Sequence, residues 1–279
     1  MKEIYFEDIA SALEKLAIEA NLYLPDDMVL VQKTAKTAET DDTSISIFSV
    51  MEENLKTAAE LKIPICQDTG MAVVFIEMGR DVHLNCNLTD AVNEGIRRGY
   101  KNGFLRYSIV RDPLLRENTG DNTPAIIYTE IIDGDGFKIT LSPKGFGSEN
   151  MSRQKMFLPT ATKEDILGFV VETVKTAGSN PCPPIVIGIG IGGDFEYSAY
   201  LSKKALIRDL SLENQNSFYK NFEKEILEAV NKLQIGPQGL GGKTTALAVN
   251  IEVFPTHIAG LPVAVNIGCH VNRHKSITL

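Results

Sequence analysis

The chain has 279 residues, 43% hydrophobic and 23% charged, an ordinary globular composition long enough to bury one large core or two lobes. It sets 28 Lys and Arg against 36 Asp and Glu, a net charge of −8, with no basic block and few aromatics, which excludes nucleic acid as the main partner but not a small anionic substrate held by a few local arginines. No apolar run approaches the roughly 20 residues of a membrane span. The N-terminus has no apolar signal core and cleavage site, so a cytoplasmic, non-membrane protein is expected.

In chain order, the first part reads as helices. Phe6–Ala20 spaces Ile9, Leu13, Leu16 and Ala17 at helical intervals, "PDDM" supplies a turn and a cap, and Ser44–Leu61 is a second helix ended by Pro64. "MAVVFIEMG" reads as a strand, and "LTDAVNEGIRRGYKNG" as a helix starting near Thr89 or Asp90 and stopped at Gly103. Ala125–Ile132 and Phe137–Leu141 are strands, and the "DGDG" between them predicts a hairpin. A loop, "SPKGFGSENMS", precedes a helix over Thr160–Ala177. Then "SNPCPPIVIGIGIGGDFEYSAYLSKKAL" predicts a buried strand, a glycine turn and a helix. Phe218–Lys232 is helical, and the chain closes with a glycine loop, two strands and a polar end. Strands and helices do not alternate regularly, which predicts an α+β fold. The expected organisation is a single domain over 1–279, with a helical part at about 1–62 and a mixed α/β lobe with glycine-rich loops at 63–279.

Two glycine patterns resemble nucleotide sites. Gly188, Gly190 and Gly193 match G-x-G-x-x-G between a strand and a helix, the context of a dinucleotide fingerprint and of an NAD-linked oxidoreductase. The unit lies late in the chain, however, and "LIRDLSLENQ" is a poor second strand to carry the ribose-binding acid. A tight turn packing helix on strand is the plainer reading. "PQGLGGKTT" fails as a phosphate loop, because the first glycine of G-x-x-x-x-G-K-T falls on Pro237.

The cysteines carry more chemistry. Cys86, in "DVHLNCNL", reads as a small buried hydrophobe. The other three adjoin Pro or Gly at strand edges: Cys66 after Pro64-Ile65, Cys182 between Pro181 and Pro183, and Cys269 between Gly268 and His270. Stiff loops at strand ends are where sites are built. Three thiolates suit three corners of a cubane [4Fe–4S] cluster, leaving one iron open as a Lewis acid. A Cys3His zinc site using His270, in a zinc-stapled or redox-sensing module without catalysis, has the same count. Three unrelated core cysteines are the commonest plain outcome for such a count.

"PICQDTGM", "KGFGSENMS", "NPCPPIVIGIGIGG", "IGPQGLGGKTTAL" and "HIAGLPVAVNIGCHVNRH", in that order, resemble the class I iron–sulfur fumarate hydratases and the related L(+)-tartrate dehydratases. The resemblance covers about residues 50–275 and is to the N-terminal domain or separate alpha subunit of that family. It implies a hydro-lyase that adds or removes water on a C4 dicarboxylate, malate and fumarate first, with L(+)-tartrate as the alternative. It implies a [4Fe–4S] cluster on Cys66, Cys182 and Cys269. Gln67 and Asp68 then lie within reach of substrate, with Asp68 as the acid at the leaving hydroxyl; the plainer role for Asp68 is a turn cap through Thr69 and Gly70. Arg106 matches a substrate-binding arginine, with Arg111 and Arg116 as rivals. Gly145, Gly147, Ser148 and Asn150 form a loop suited to a substrate carboxylate. His257 matches a histidine near the substrate, His270 and His274 are candidates to support Cys269, and Glu149 and Glu196 are candidates to order nearby loops. Single-chain members continue into a further domain, so the resemblance implies a separate beta subunit that completes the active site, with an alpha dimer inside an alpha2beta2 assembly.

Overall fold

The computed structural model describes residues 2–279, which fold as two compact units. Unit 1 takes residues up to Pro25, Asn54–Phe146 and Arg273–Leu279; unit 2 takes Asp26–Glu53 and Gly147–Asn272. The elements of the first 62 residues therefore do not form a lobe of their own. Helix α1 (Phe6–Leu22) belongs to unit 1, α2 (Asp26–Ala38) to unit 2, and α3 (Asp42–Leu61) runs through the division. The fold is α+β, as the irregular order of elements predicts. No helix among the described residues is long and apolar enough to cross a membrane.

In unit 1, β1 (Lys2–Ile4) pairs in parallel with β3 (Val82–Leu84), and a four-stranded sheet is built around β2 (Met71–Gly79). Helix α4 (Leu88–Asn102) starts on an Asn87 cap that accepts from the Asp90 amide and ends at Gly103. Its Ala91, Val92, Ile96 and Tyr100 share one core with Ile9, Leu13 and Leu16 of α1 and with the sheet. The strands β4 (Ile126–Ile132) and β5 (Phe137–Lys144) form where predicted, but they are not a hairpin. The sheet order is β10-β5-β2-β4, with β10 at Lys275–Thr278. Here β2 lies between them, parallel to β4 and antiparallel to β5. The reason is burial. Ala72–Ile76 of β2 are buried at every position, so this strand needs neighbours on both edges and helices above it. β4, mostly exposed, suits an edge. The Asp133–Gly136 turn instead crosses the end of β2, where the amides of Gly79, Arg80 and Asp81 donate to Gly136 O, Ile132 O and Gly134 O at 2.7, 2.9 and 3.0 Å.

In unit 2, after the single turn α5 (Phe146–Glu149) at its boundary with unit 1, the sheet order is β6 (Arg153–Phe157), β9 (Leu261–Gly268), β7 (Ile185–Gly193) and β8 (Ala246–Thr256). β7 runs parallel to β8 and antiparallel to β9. Helices α6 (Lys163–Ala177) and α8 (Ser217–Asn231) contribute Val170, Val174, Phe222 and Ile226 to one core with Ile187, Ile189 and Val265 of the sheet. A capping box starts α6: Thr162 Oγ1 accepts from the Asp165 amide, and Asp165 accepts from the Thr162 amide.

The glycines predicted to form a turn lie inside β7. A Cβ on Gly190 would stand 2.0 Å from Ser198 O and 2.6 Å from Ser202 N, and one on Gly188 would stand 2.1 Å from Ser202 O. Gly188 and Gly190 alternate on the face covered by α7 (Phe195–Ala205) and let its backbone lie against the strand.

This topology sets two loops side by side. Val186 of β7 pairs with Gly268 of β9, so the approach to β7 and the exit from β9 leave the same end of the sheet. Cys182 is on the first and Cys269 on the second.

Candidate functional site

In unit 1 the predicted residues gather at the entrance to β2. The Ile65 amide donates to Asn21 O (2.9 Å) and Asn54 Nδ2 donates to Ile65 O (3.0 Å), which fixes the chain just before Cys66. The Asp68 amide points at Cys66 Sγ (3.4 Å), and the same sulfur lies 3.6 Å from Gln67 Oε1. Asp68 Oδ1 accepts from the Gly70 amide (3.0 Å) and Oδ2 from the Phe146 amide (2.9 Å). The turn-cap geometry is thus present, and with it a tie to the 145–146 corner. A Cβ on Gly145 would lie 3.1 Å from Asp68 Oδ2, so this corner has room only for glycine or a slight shift. The Phe146 amide is engaged by Asp68 rather than presented to a substrate.

Arg106 joins the same group through its backbone. Thr69 Oγ1 accepts from the Arg106 amide (3.0 Å) and donates to Arg106 O (3.2 Å), while the Arg106 residue itself is exposed. Arg111 and Arg116 are exposed on the following loop, where Arg111 N donates to Glu117 O and Arg116 N to Asp112 O.

The sequence pattern does not reveal the residues that hold this loop in shape. Buried Tyr100 Oη sits 2.8 Å from Thr69 O and 2.9 Å from Gly70 O, one proton shared by two carbonyls. Burial raises its phenol pKa, so it stays a donor at any physiological pH. Asn122 Nδ2 donates to Gly70 O (3.2 Å), and Arg273 Nη2 donates to Asp68 O (2.6 Å). A tyrosine on an apolar helix face reads as core, and only the tertiary contact reveals its second role.

Unit 2 carries the other two cysteines. Cys182 is exposed and sits at φ +55°, a left-handed backbone that costs a non-glycine residue about 1–3 kcal/mol. The His270 amide donates to Cys182 O (3.2 Å), and His270 Nδ1 lies 3.0 Å from the same oxygen. The Asn272 amide closes the turn on Cys269 O (2.9 Å). A Cβ on Gly147 would lie 3.6 Å from Asn180 O, so the loop of Gly147, buried Ser148 and exposed Asn150 adjoins the approach to Cys182. Glu149 binds Lys203 Nζ (2.5 Å) and Asn266 Nδ2 (3.1 Å), tying that loop to α7 and β9. Glu196 lies in the exposed first turn of α7.

His257 is not brought to the cysteine pair of its own unit. It occupies the exposed β8–β9 turn, where its Nδ1 accepts from the Ala259 amide (3.1 Å). Cys269 follows the other end of β9, a strand of 8 residues that spans roughly 27 Å. His274 falls in unit 1, whereas Cys269 and His270 fall in unit 2. Cys86 is partly buried against the unit 1 core, and that burial pushes its thiol pKa up, as expected of a packing residue.

Neither nucleotide motif survives as a site. The G-x-G-x-x-G glycines serve helix packing, and the loop "GLGGKTT" directs its Lys243 and Thr244 amides to the buried Glu39 carboxylate (3.1 and 2.8 Å). An internal carboxylate stands where a phosphate would.

The donors on hand are thiolates, the ligand type that iron–sulfur clusters take: Cys66 in unit 1, Cys182 and Cys269 in unit 2. Among the described residues no three His, Cys, Asp or Glu side chains converge to hold a single metal ion. Cys182 is exposed, while Cys66 and Cys269 are partly buried, as Cys86 is.

Comparison with known proteins agrees in extent. The profile of the fumarate hydratase (Fumerase) family matches residues 10–278. A Methanocaldococcus jannaschii protein provisionally named L(+)-tartrate dehydratase subunit alpha is 40% identical over 273 residues, 95% of each chain. The L(+)-tartrate dehydratase alpha subunits of Escherichia coli K12 and Shigella sonnei are 32% identical over 257 residues, covering 91% of this chain and 85% of theirs. A match of this length, over both cysteine-bearing units, makes the chain a member of the fumarate hydratase (Fumerase) family.

Proposed function

We propose that this hydro-lyase chain is the alpha subunit of an iron–sulfur enzyme that reversibly adds water to, or removes it from, a C4 dicarboxylate, and that it works with a separate beta subunit. Cys66, Cys182 and Cys269 are its cluster ligands. The observation that carries this reading is Cys182: exposed, held in a strained left-handed backbone, and tied by two contacts to the residue after Cys269. Strain of this kind persists only where the surroundings impose it, and functional sites are where it gathers.

When bound, the cluster supplies an iron without a protein thiolate, a Lewis acid for a hydroxyl. The chain's own residues do the rest. Arg106 holds a substrate carboxylate in its planar fork, and the Thr69 staple on its backbone fixes where that fork starts. Asp68, each oxygen already oriented by one backbone amide, keeps a lone pair on each for the substrate hydroxyl and exchanges a proton there. Gln67, the residue before it, orients the same hydroxyl. Gly147, Ser148 and Asn150 offer polar contacts to the second carboxylate. No step on this chain's own cysteine pair is assigned to His257, at the far end of the sheet. The remaining base belongs to the beta subunit, in an alpha2beta2 assembly.

The names of the relatives speak for a second substrate, L(+)-tartrate, in place of malate and fumarate. Both are C4 dicarboxylates with a hydroxyl to lose. One experiment tests the whole reading: co-expression with the beta subunit, anaerobic reconstitution, analysis of iron and sulfide, and assay on malate and on tartrate. Cys66→Ser, Cys182→Ser and Cys269→Ser should each cut bound iron and abolish turnover, while Cys86→Ser leaves both unchanged. A colourless wild-type complex with full secondary structure and no hydratase activity would refute it.

A further inference from the structure

The loop at Gly236–Gly241 touches both cysteine loops of unit 2 through one residue. Gln238 donates its backbone amide to Pro183 O (2.8 Å) and its side-chain Nε2 to the same oxygen (2.9 Å), and that Nε2 also lies 3.3 Å from His270 Nδ1. Pro183 follows Cys182 and His270 follows Cys269, so one carboxamide contacts the residue after each cysteine.

The loop is itself firmly held. Ser44 Oγ donates to Gly241 O (2.9 Å), Glu39 binds the amides of Lys243 and Thr244, and Thr245 Oγ1 accepts from the Ile235 and Gly236 amides. The opposite side of His270 is fixed as well, since buried Gln32 Nε2 donates to His270 O (2.5 Å). Gln238 also takes a left-handed backbone, φ +55°, and a glutamine gains nothing locally from that conformation. Its backbone strain is borne so that amide and side chain can both face Pro183.

We infer that Gln238 is a positioning residue for the Cys182–Cys269 ligand pair: it ties the two loops together and sets the spacing at which their thiolates meet the cluster. This rests on the cluster reading above. Outer residues that orient metal ligands commonly matter by about 10–100-fold in metal affinity or activity.

The test is Gln238→Gly in the full chain, reconstituted anaerobically beside wild type. Glycine takes the left-handed backbone freely, so the loop and its amide bond to Pro183 O survive while the carboxamide is lost. Gln238→Asn, which tolerates the same φ but is one methylene short, is the second variant. Both should fold and melt as wild type. Iron loss to a chelator should be about tenfold faster, at the low end of that range. The electron paramagnetic resonance spectrum of the reduced cluster should change, and in the iron-free chain the His270 amide should exchange faster with solvent. Iron loss at the wild-type rate with an unaltered spectrum would overturn the inference, whatever the amide does. If wild type itself takes up no cluster, the cluster reading falls first and the inference with it, an outcome visible without any variant.

Discussion

Two glycine-to-alanine substitutions in unit 2 should act in opposite directions. At Gly190 the added methyl would meet Ser198 O at 2.0 Å, Ser202 N at 2.6 Å and Leu201 Cβ at 2.8 Å. Two of these are backbone atoms of α7, so no side-chain rotation relieves them. The helix must retreat by more than about 1 Å to restore a contact of about 3.5 Å, and a gap of that size forfeits a large part of the dispersion energy along the interface. Overpacking costs about 1–3 kcal/mol, and rigid backbone on both sides places Gly190→Ala at the upper end, about 3 kcal/mol. At roughly 2–4 °C per kcal/mol for a unit of this size, the melting temperature should drop by roughly 6–12 °C. At Gly168, inside α6, a methyl meets nothing within 4 Å. There alanine gains only helix propensity, about 1 kcal/mol, and the melting temperature should rise by roughly 2–4 °C. Differential scanning calorimetry on the iron-free chain reads both. If Gly190→Ala melts with wild type, the packing role of these glycines is wrong. If it instead abolishes binding of NAD by a stable protein, the rejected nucleotide site stands.

Glu39→Ala should strand the Lys243 and Thr244 amides in a buried place, costing about 2 kcal/mol in urea unfolding and exposing those two amides to fast hydrogen exchange. Tyr100→Phe removes the donor shared by Thr69 O and Gly70 O; it should cost about 1–2 kcal/mol and raise KM in the reconstituted enzyme, because the Asp68 loop loses its support. For Asp165, hydrogen bonds from the Thr162 amide and hydroxyl hold the carboxyl pKa below the ordinary aspartate value. A depressed pKa stabilises the folded state above the unfolded value, and that gain is lost as pH falls through the folded value. Asp165→Asn should therefore lower the melting temperature at neutral pH and match wild type in strong acid; an equal deficit at every pH would show that the cap does not act through its charge.

The sites of local structure follow from short stretches of residues. The β2 run "MAVVFIEMG" is a strand at the predicted limits, Met71–Gly79, and α4 stops at Gly103, because local hydrophobic pattern and caps act over a few residues. The positions of Cys66, Cys182 and Cys269 beside Pro or Gly were legible too; the exposure and left-handed backbone of Cys182 were not. What the residues by themselves left undecided was pairing. "DGDG" reads as a hairpin, and the deeply apolar β2 takes the place between its strands, because burying both faces of one strand outweighs the local preference of a turn. "GIGIGG" reads as a tight turn packing helix on strand; the packing against α7 is there, but the glycines lie within β7 rather than in a turn. Cys182 and Cys269 are 87 residues apart, and no spacing rule predicts their meeting. Antiparallel pairing of β7 with β9 brings their loops to one end of a sheet, and Gln238, silent in the sequence, reaches both. Local order comes from neighbours along the chain, but a site assembled by long-range hydrogen bonds exists only once the strands have chosen their partners.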